Sequence, residues 1–290
     1  MILPYLIHLL IIIAIYIIVS VSLNLALGYT GMLNLGHVAL FGIGAYTSTL
    51  LVMNGVPFIL AFILAGLLAS IFGVLLVFAT KKLKGDYYAL ATLGFSFVIY
   101  SLLVNLVGLT RGPQGISGIP RPNLFGLAIS SNATYLIFAA FITLVSVFII
   151  HKVIKSPFGR LLEATRDDEL GLKVLGKNTA LLKYKAMIIS AFFAGIAGSL
   201  MAHYINFIDP SSYNLPEIIF VLTIVIIGGI ASIPGSIAAS FIIVLIPEVL
   251  RFFSLPSSIL GPARQIIYAI ILILIVMYRP RGLYGRIDLE

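Results

Sequence analysis

The sequence predicts an all-α polytopic membrane protein of about eight to ten transmembrane helices, with Gly-broken segments and a candidate internal repeat. Three observations predict it. The chain is 61% hydrophobic and only 10% charged, with a mean hydropathy of +1.16, whereas a soluble domain carries about a quarter charged residues. Apolar stretches approach the roughly 20 residues that a span needs at 5–27, 34–53, 57–79, 87–108, 133–151, 186–207, 216–231, 234–250 and 264–279. Finally, 14 of the 18 Lys and Arg fall in three clusters. The first is Lys81, Lys82 and Lys84. The second runs from Lys152 to Lys185 through Lys155, Arg160, Arg166, Lys173, Lys177 and Lys183. The third is Arg279, Arg281 and Arg286. Two stretches separate the first pair of clusters and four separate the second pair, so all three share one side. The positive-inside rule makes that side the cytoplasm, which also accounts for the net charge of +8 without nucleic acid.

The first stretch, "MILPYLIHLLIIIAIYIIVSVSLNLAL", has no basic n-region and an apolar run too long for a signal peptide, so a retained span is expected. Three stretches before Lys81 would put the N-terminus outside. That side stays open, because Gly28, Gly31, Gly36, Gly42 and Gly44 allow the region to break, re-enter or cross again. The segment "LGYTGMLNLGHVALFGIGAY" (27–46) is echoed by "IIGGIASIPGSIAASFIIV" (226–244). Gly-interrupted apolar segments in two halves point to repeats around a central pathway, while small residues also serve close helix packing. On the first reading Asn34, Gly36, His37, Gly228 and Gly229 border the translocation path. His37 serves equally well as a satisfied buried imidazole. Residues 109–132, "LTRGPQGISGIPRPNLFGLAISSN", have too many Pro and Gly for a long helix and predict an ordered extracytoplasmic loop or cap.

The longest polar stretch is "SPFGRLLEATRDDELGLKVLGKN" (156–178), within a cytoplasmic loop over 152–185. Ser156 and Pro157 suit a helix N-cap and first position, and Gly176 suits a terminator. One helix near 157–175 is expected, with ion pairs Glu163–Arg166 and Glu169–Lys173. Leu161, Leu162, Leu172 and Leu175 would give it a surface to bury. The ordinary alternative is a solvated basic loop resting on the bilayer.

Chemistry is narrowly bounded. Cys is absent, and His8, His37, His151 and His203 are scattered without metal-ligand spacing. No catalytic, cofactor or metal site is expected. Asp86, Asp209, Glu217, Glu248, Arg251 and Arg264 fall near span ends, where charge costs little. A spaced set of deep acidic residues and a phosphate-binding loop are both missing. If the chain pumps, its energy comes from another protein. The rival class is a stand-alone secondary transporter or channel.

Four blocks in order resemble the permease subunits of branched-chain amino acid ABC importers, of the LivM and LivH kind and closer to LivM. They are "SLNLALGYTGMLNLGHVALFGIGAYTS" (22–48), "KGDYYALATLGFSFVIY" (84–100) with "LTRGPQGISGIP" (109–120), 156–200 with its EAA-like loop, and "YRPRGLYG" (278–285). The resemblance implies an inner-membrane, multi-pass, prokaryotic permease with no catalysis of its own. It implies a second homologous permease, two ATP-binding subunits, an extracytoplasmic substrate-binding protein and an amino-acid substrate, all in membrane lipid. It implies an ATPase-coupling loop carried by Glu163, Ala164, Arg166, Asp168 and Gly176. Thr165 stands where the family often has a second Ala. Related permeases take urea or short amides, so branched-chain specificity is the expectation and those are its alternatives.

Overall fold

The computed structural model describes residues 2–124, 127–251, 257–279 and 281–285, so Arg286 of the third basic cluster lies outside the described residues. Among these residues there are twelve helices: α1 (Ile2–Thr30), α2 (His37–Met53), α3 (Phe58–Thr80), α4 (Gly85–Asn105), α5 (Val107–Thr110), α6 (Asn132–Lys155), α7 (Pro157–Asp167), α8 (Glu169–Val174), α9 (Thr179–Ile205), α10 (Leu215–Gly228), α11 (Ile233–Arg251) and α12 (Ser257–Tyr278). Segments of α1, α3, α4, α6, α9 and α12 are long and apolar enough to cross a bilayer, and α2, α10 and most of α11 form shorter apolar rods. The all-α polytopic architecture stands.

The central element is α9, whose apolar window is the most buried of the six. Its row of small residues lets neighbours approach to backbone contact. A Cβ on Gly44 of α2 would lie 2.2 Å from the Gly195 carbonyl oxygen, and one on Gly198 would lie 2.0 Å from that of Phe41. Ala65 and Ala69 of α3 meet Gly195 from the other side. Apolar helices gain nothing hydrophobic by leaving lipid for one another, so close van der Waals contact at small residues is what holds them. This is how Gly44 is spent, whereas Gly42 makes room for the Tyr213 ring.

Three boundaries differ from expectation. The helix expected from 186 starts at Thr179, because the Asn178 side chain caps it by accepting from Leu181 N–H at 3.0 Å. Lys183 and Lys185 therefore ride on α9, and the stretch between α6 and α9 shrinks to 156–178. The span expected over 216–231 stops at Gly228, where Gly229 turns the backbone to φ 104. The last span begins earlier than 264, at Ser257.

The chain's polar connections collect at two ends. At one end lie α7, α8, the 80–85 turn, the C-terminus of α1 and the 229–235 turn. The described members of the basic clusters gather there. At the other end, the described residues of 107–132 form a small cap of α5, a 3₁₀ turn and three short strands, β1 (Ile116–Ser117), β2 (Asn123–Leu124) and β3 (Leu127–Ala128). β1 pairs antiparallel with β4 (Phe207–Ile208), just past α9. The cap is pinned by a relay: Ser199 Oγ donates to Ser48 Oγ at 2.6 Å, Ser48 lies 2.9 Å from His203 Nε2, and His203 Nδ1 donates to the Pro120 carbonyl at 2.7 Å. Buried polar groups require such partners.

Candidate functional site

The loop between α6 and α9 folds as the N-cap logic requires, up to a point. Ser156 Oγ accepts from Gly159 N–H at 3.3 Å and Pro157 opens α7. At the far end Gly176 takes φ 74. Its N–H reaches the Lys173 carbonyl at 3.0 Å and Lys177 N–H reaches Leu172 at 3.2 Å. That is the paired closure of a glycine-terminated helix. The single helix expected near 157–175 is nevertheless two. Asp168 leaves helical geometry, with φ −149 and ψ 91, and its carboxylate accepts from Gly171 N–H at 2.9 Å. An Asp side chain competes for backbone donors, and here it starts a second helix.

The two short helices face different ways. In α7, Gly159, Leu162 and Thr165 are buried against α1, α6 and α9. In α8, Leu172 is buried, while Leu170, Val174 and Leu175 are 66%, 87% and 75% exposed. Of the leucines expected to offer a surface, Leu162 and Leu172 are thus spent on the bundle, and Leu161 is half-buried against it. Leu175 points outward, joined by Leu170 and Val174, which a one-helix pattern concealed.

The expected Glu169–Lys173 pair is formed at 2.9 Å. Glu169 also accepts from Lys183 at 2.8 Å and from Thr179 Oγ1 at 3.1 Å, which ties α8 to the first turns of α9. Burial would raise this carboxyl's pKa, but the two lysines and Thr179 outweigh it and bring it down to about 2. The expected Glu163–Arg166 pair is not formed. Arg166 turns instead to Asp167 at 2.8 Å and donates to the Gly28 carbonyl at 2.7 Å. The carbonyls of the last turn of α1 have no intrahelical partner and so accept a cation readily. Among the described residues Glu163 has no ion pair; it lines a cleft of about 410 Å³ with Lys155 and Arg160. Ala164 packs half-buried against the core.

Arg166 thereby touches the helix end on which the second Gly break rests. Gly28 lies so near Ala231 that an added Cβ would fall 2.4 Å from its backbone nitrogen. Asn24, fully buried about two turns before the end of α1, binds that break at four points. Its Oδ1 accepts from Ala231 N–H at 2.9 Å, and its Nδ2 donates to Gly229 O, Ser232 O and Ser236 Oγ. Tyr29 Oη donates to Ala231 O at 2.7 Å. Residues 283 and 284 close over the same place, their N–H groups donating to Ile227 and Gly228 carbonyls at 2.8 and 3.1 Å. An amide in a run of apolar residues was the signal in the sequence: Asn24 in "SVSLNLALG" needed partners, and only the fold names them.

The residues expected along a path are packed between helices. Asn34 Oδ1 accepts from Gly36 N–H at 2.9 Å, a local turn. Thr92 and Ser96 of α4 bind the backbone of Leu35 at 3.0 Å each. His37 Nε2 lies 2.9 Å from Ser22 Oγ. Gly36 abuts Thr92 and Phe95, and Gly228 abuts Gly235.

The chain matches the family described as branched-chain amino acid transport system / permease component over residues 5–277. It is 36% identical over 294 residues to the high-affinity branched-chain amino acid transport system permease protein LivM of Escherichia coli K12, covering 93% of this chain and 67% of that protein. It is 25% identical over 316 residues to the probable branched-chain amino acid transport permease protein LivM of Methanocaldococcus jannaschii, covering 92% and 90%. It is 23% identical over 296 residues to the permease protein LivH of Salmonella typhimurium, covering 95% and 92%. No solved structure matches the chain. The chain belongs to the branched-chain amino acid transport permease family.

Proposed function

From that membership we propose that the chain is the inner-membrane permease subunit of an ATP-driven importer of branched-chain amino acids. It pairs with a second homologous permease. Two ATP-hydrolysing subunits dock on the loop end, and a binding protein delivers substrate at the cap end over 109–132. The described basic residues gathered at the loop end support a cytoplasmic position for it.

One observation carries the coupling role. The 156–178 loop is wired to the bundle on one face and bare on the other. Arg166 joins α7 to α1 at Gly28, Glu169 joins α8 to α9 at Lys183, and Gly28 rests on the 229–232 turn. Leu170, Val174 and Leu175 remain exposed. An ATPase that covers these three and moves would pull on α1, α9 and the second break together. The coupling role of Glu163, Ala164, Arg166, Asp168 and Gly176 thus divides. Asp168 and Gly176 delimit α8, Arg166 and Ala164 seat α7, and Glu163 faces the cleft. Asn34, Gly36, His37, Gly228 and Gly229 would then act on the path by shaping the backbone at the two breaks.

The test is leucine uptake into vesicles containing this chain, its partner permease and the two ATPases, with binding protein added outside the cap end. Uptake should require ATP and all components. Uptake by the chain alone, without ATP, would make it a stand-alone carrier or channel. Uptake of urea or a short amide in place of leucine would move the substrate within the family.

A further inference from the structure

A cavity of about 360 Å³ opens between α1, α10, α11 and α12 toward the cap end, a volume within the usual range for small-ligand sites. It gathers three of the charges that the sequence placed at span ends: Glu217, Glu248 and Arg264. Charge costs little at an interface, but here three charged side chains converge on one open cavity of a membrane protein, which marks function.

The side chains divide by chemistry. Glu217 accepts from Tyr16 Oη on Oε1 at 2.5 Å, and its Oε2 accepts nothing from the described residues. Glu248 accepts from Tyr5. Arg264 makes no ion pair among the described residues, and its buried Nε has no hydrogen-bond partner among them. Arg264 lines the cavity and its guanidinium meets no acceptor among the described residues, so its outer N–H groups are there to be offered to a ligand. Leu9, Ile12, Phe220 and Val244 supply apolar wall. A cationic fork, a carboxylate with a free oxygen and an apolar wall in one small space complement one class of molecule.

We propose that this cavity binds a zwitterionic α-amino acid with an aliphatic side chain. Arg264 takes the α-carboxylate as a charge-assisted fork. Glu217, oriented by Tyr16, takes the α-ammonium, and the alkyl group lies against the apolar wall. This deepens the importer reading and rests on it, adding a substrate station inside the permease on the side where substrate arrives.

The experiment measures equilibrium binding of radiolabelled leucine to the assembled permease–ATPase complex in nanodiscs, without binding protein. Competitors are 4-methylpentanoate, which lacks the ammonium, and 3-methylbutylamine, which lacks the carboxylate. The wild-type complex should bind leucine, and neither analogue should compete at equal concentration. Arg264→Gln and Glu217→Gln should each weaken leucine binding by about tenfold or more, the loss of one charge-assisted contact. Gly261→Phe guards against misfolding. Gly261 lines the cavity, and a Cβ there meets no atom within 4 Å. That variant should assemble normally and lose leucine binding by obstruction, retaining more affinity for alanine. Unchanged leucine affinity in all three variants would overturn the proposal, as would an analogue that competes as well as leucine. A wild-type complex that imports leucine with binding protein but binds none without it would overturn this site alone. A complex that neither imports nor binds branched-chain amino acids would overturn the importer reading and the site with it.

Discussion

The helices α7 and α8 come from one polar stretch, and both carry leucines, yet they do opposite things with them. α7 buries Leu162 completely and hides Gly159 against Ile154, where a Cβ would fall 1.9 Å from the carbonyl oxygen. α8 buries Leu172 and leaves Leu170, Val174 and Leu175 exposed. The difference lies in the joint. Asp168 ends one helix and caps the next, so the apolar stripe does not continue around a common axis. α7 is a seat and α8 is a projecting contact. On the proposed importer reading, the ATPase would cover the contact and pull on the seat.

The largest expected effect falls on the seat. Pro in a helix interior costs about 3 kcal/mol against Ala, so Ala164→Pro should unseat α7. We expect leucine uptake in vesicles to be abolished and ATPase co-purification to fall, with membrane insertion intact. Normal uptake and co-purification would mean that α7 is no seat.

The next effect falls on the contact. Leu170→Asp combined with Val174→Lys places each charge at the end of α8 that favours it, a few tenths of a kcal/mol per site. The permease should therefore keep its thermal stability. ATPase co-purification should drop by about tenfold or more, because two desolvated apolar anchors become charges. Co-purification at the wild-type level would show that the ATPase docks elsewhere and would remove the distinction between the two helices.

The smallest effect concerns the tie between them and α9. Glu169→Gln removes the charge that holds Lys173 and Lys183 and should cost about 1 kcal/mol, since these pairs are partly exposed. The sign with pH follows from the lowered pKa. A depressed carboxyl stabilises the fold above its unfolded value, near 4.5, and loses that contribution as pH falls toward about 2. Thermal unfolding of the solubilised wild type should show this extra loss between those limits, and Glu169→Gln should lack it. Identical profiles would mean that the tie contributes nothing to seating α8.

Much of this was legible before any fold was known. Polytopic architecture follows from apolar run length, and the shared end of the basic clusters from charge bias and parity. The loop's caps at Ser156 and Gly176 and the pair Glu169–Lys173 follow from local spacing. The Glu163–Arg166 pair did not form, because a free carbonyl at the end of α1 competes for the same guanidinium. Glycines at 28, 42 and 44 read equally as breaks or as contacts, and only their neighbours distinguish the two.

The sequence by itself determined what each segment is: its phase, its caps and how much lipid it can face. These depend on residues a few positions apart, where helical geometry dictates the distances. Tertiary structure alone decided which distant groups meet. Asn24 satisfies the turn at 229–232, Arg166 finds Gly28, and Glu217 and Arg264 come to line one cavity. The physical reason is that a buried polar group must be satisfied but does not specify by what. Packing selects the partner, and in an apolar bundle it does so through small residues whose contacts leave no periodic trace in the sequence.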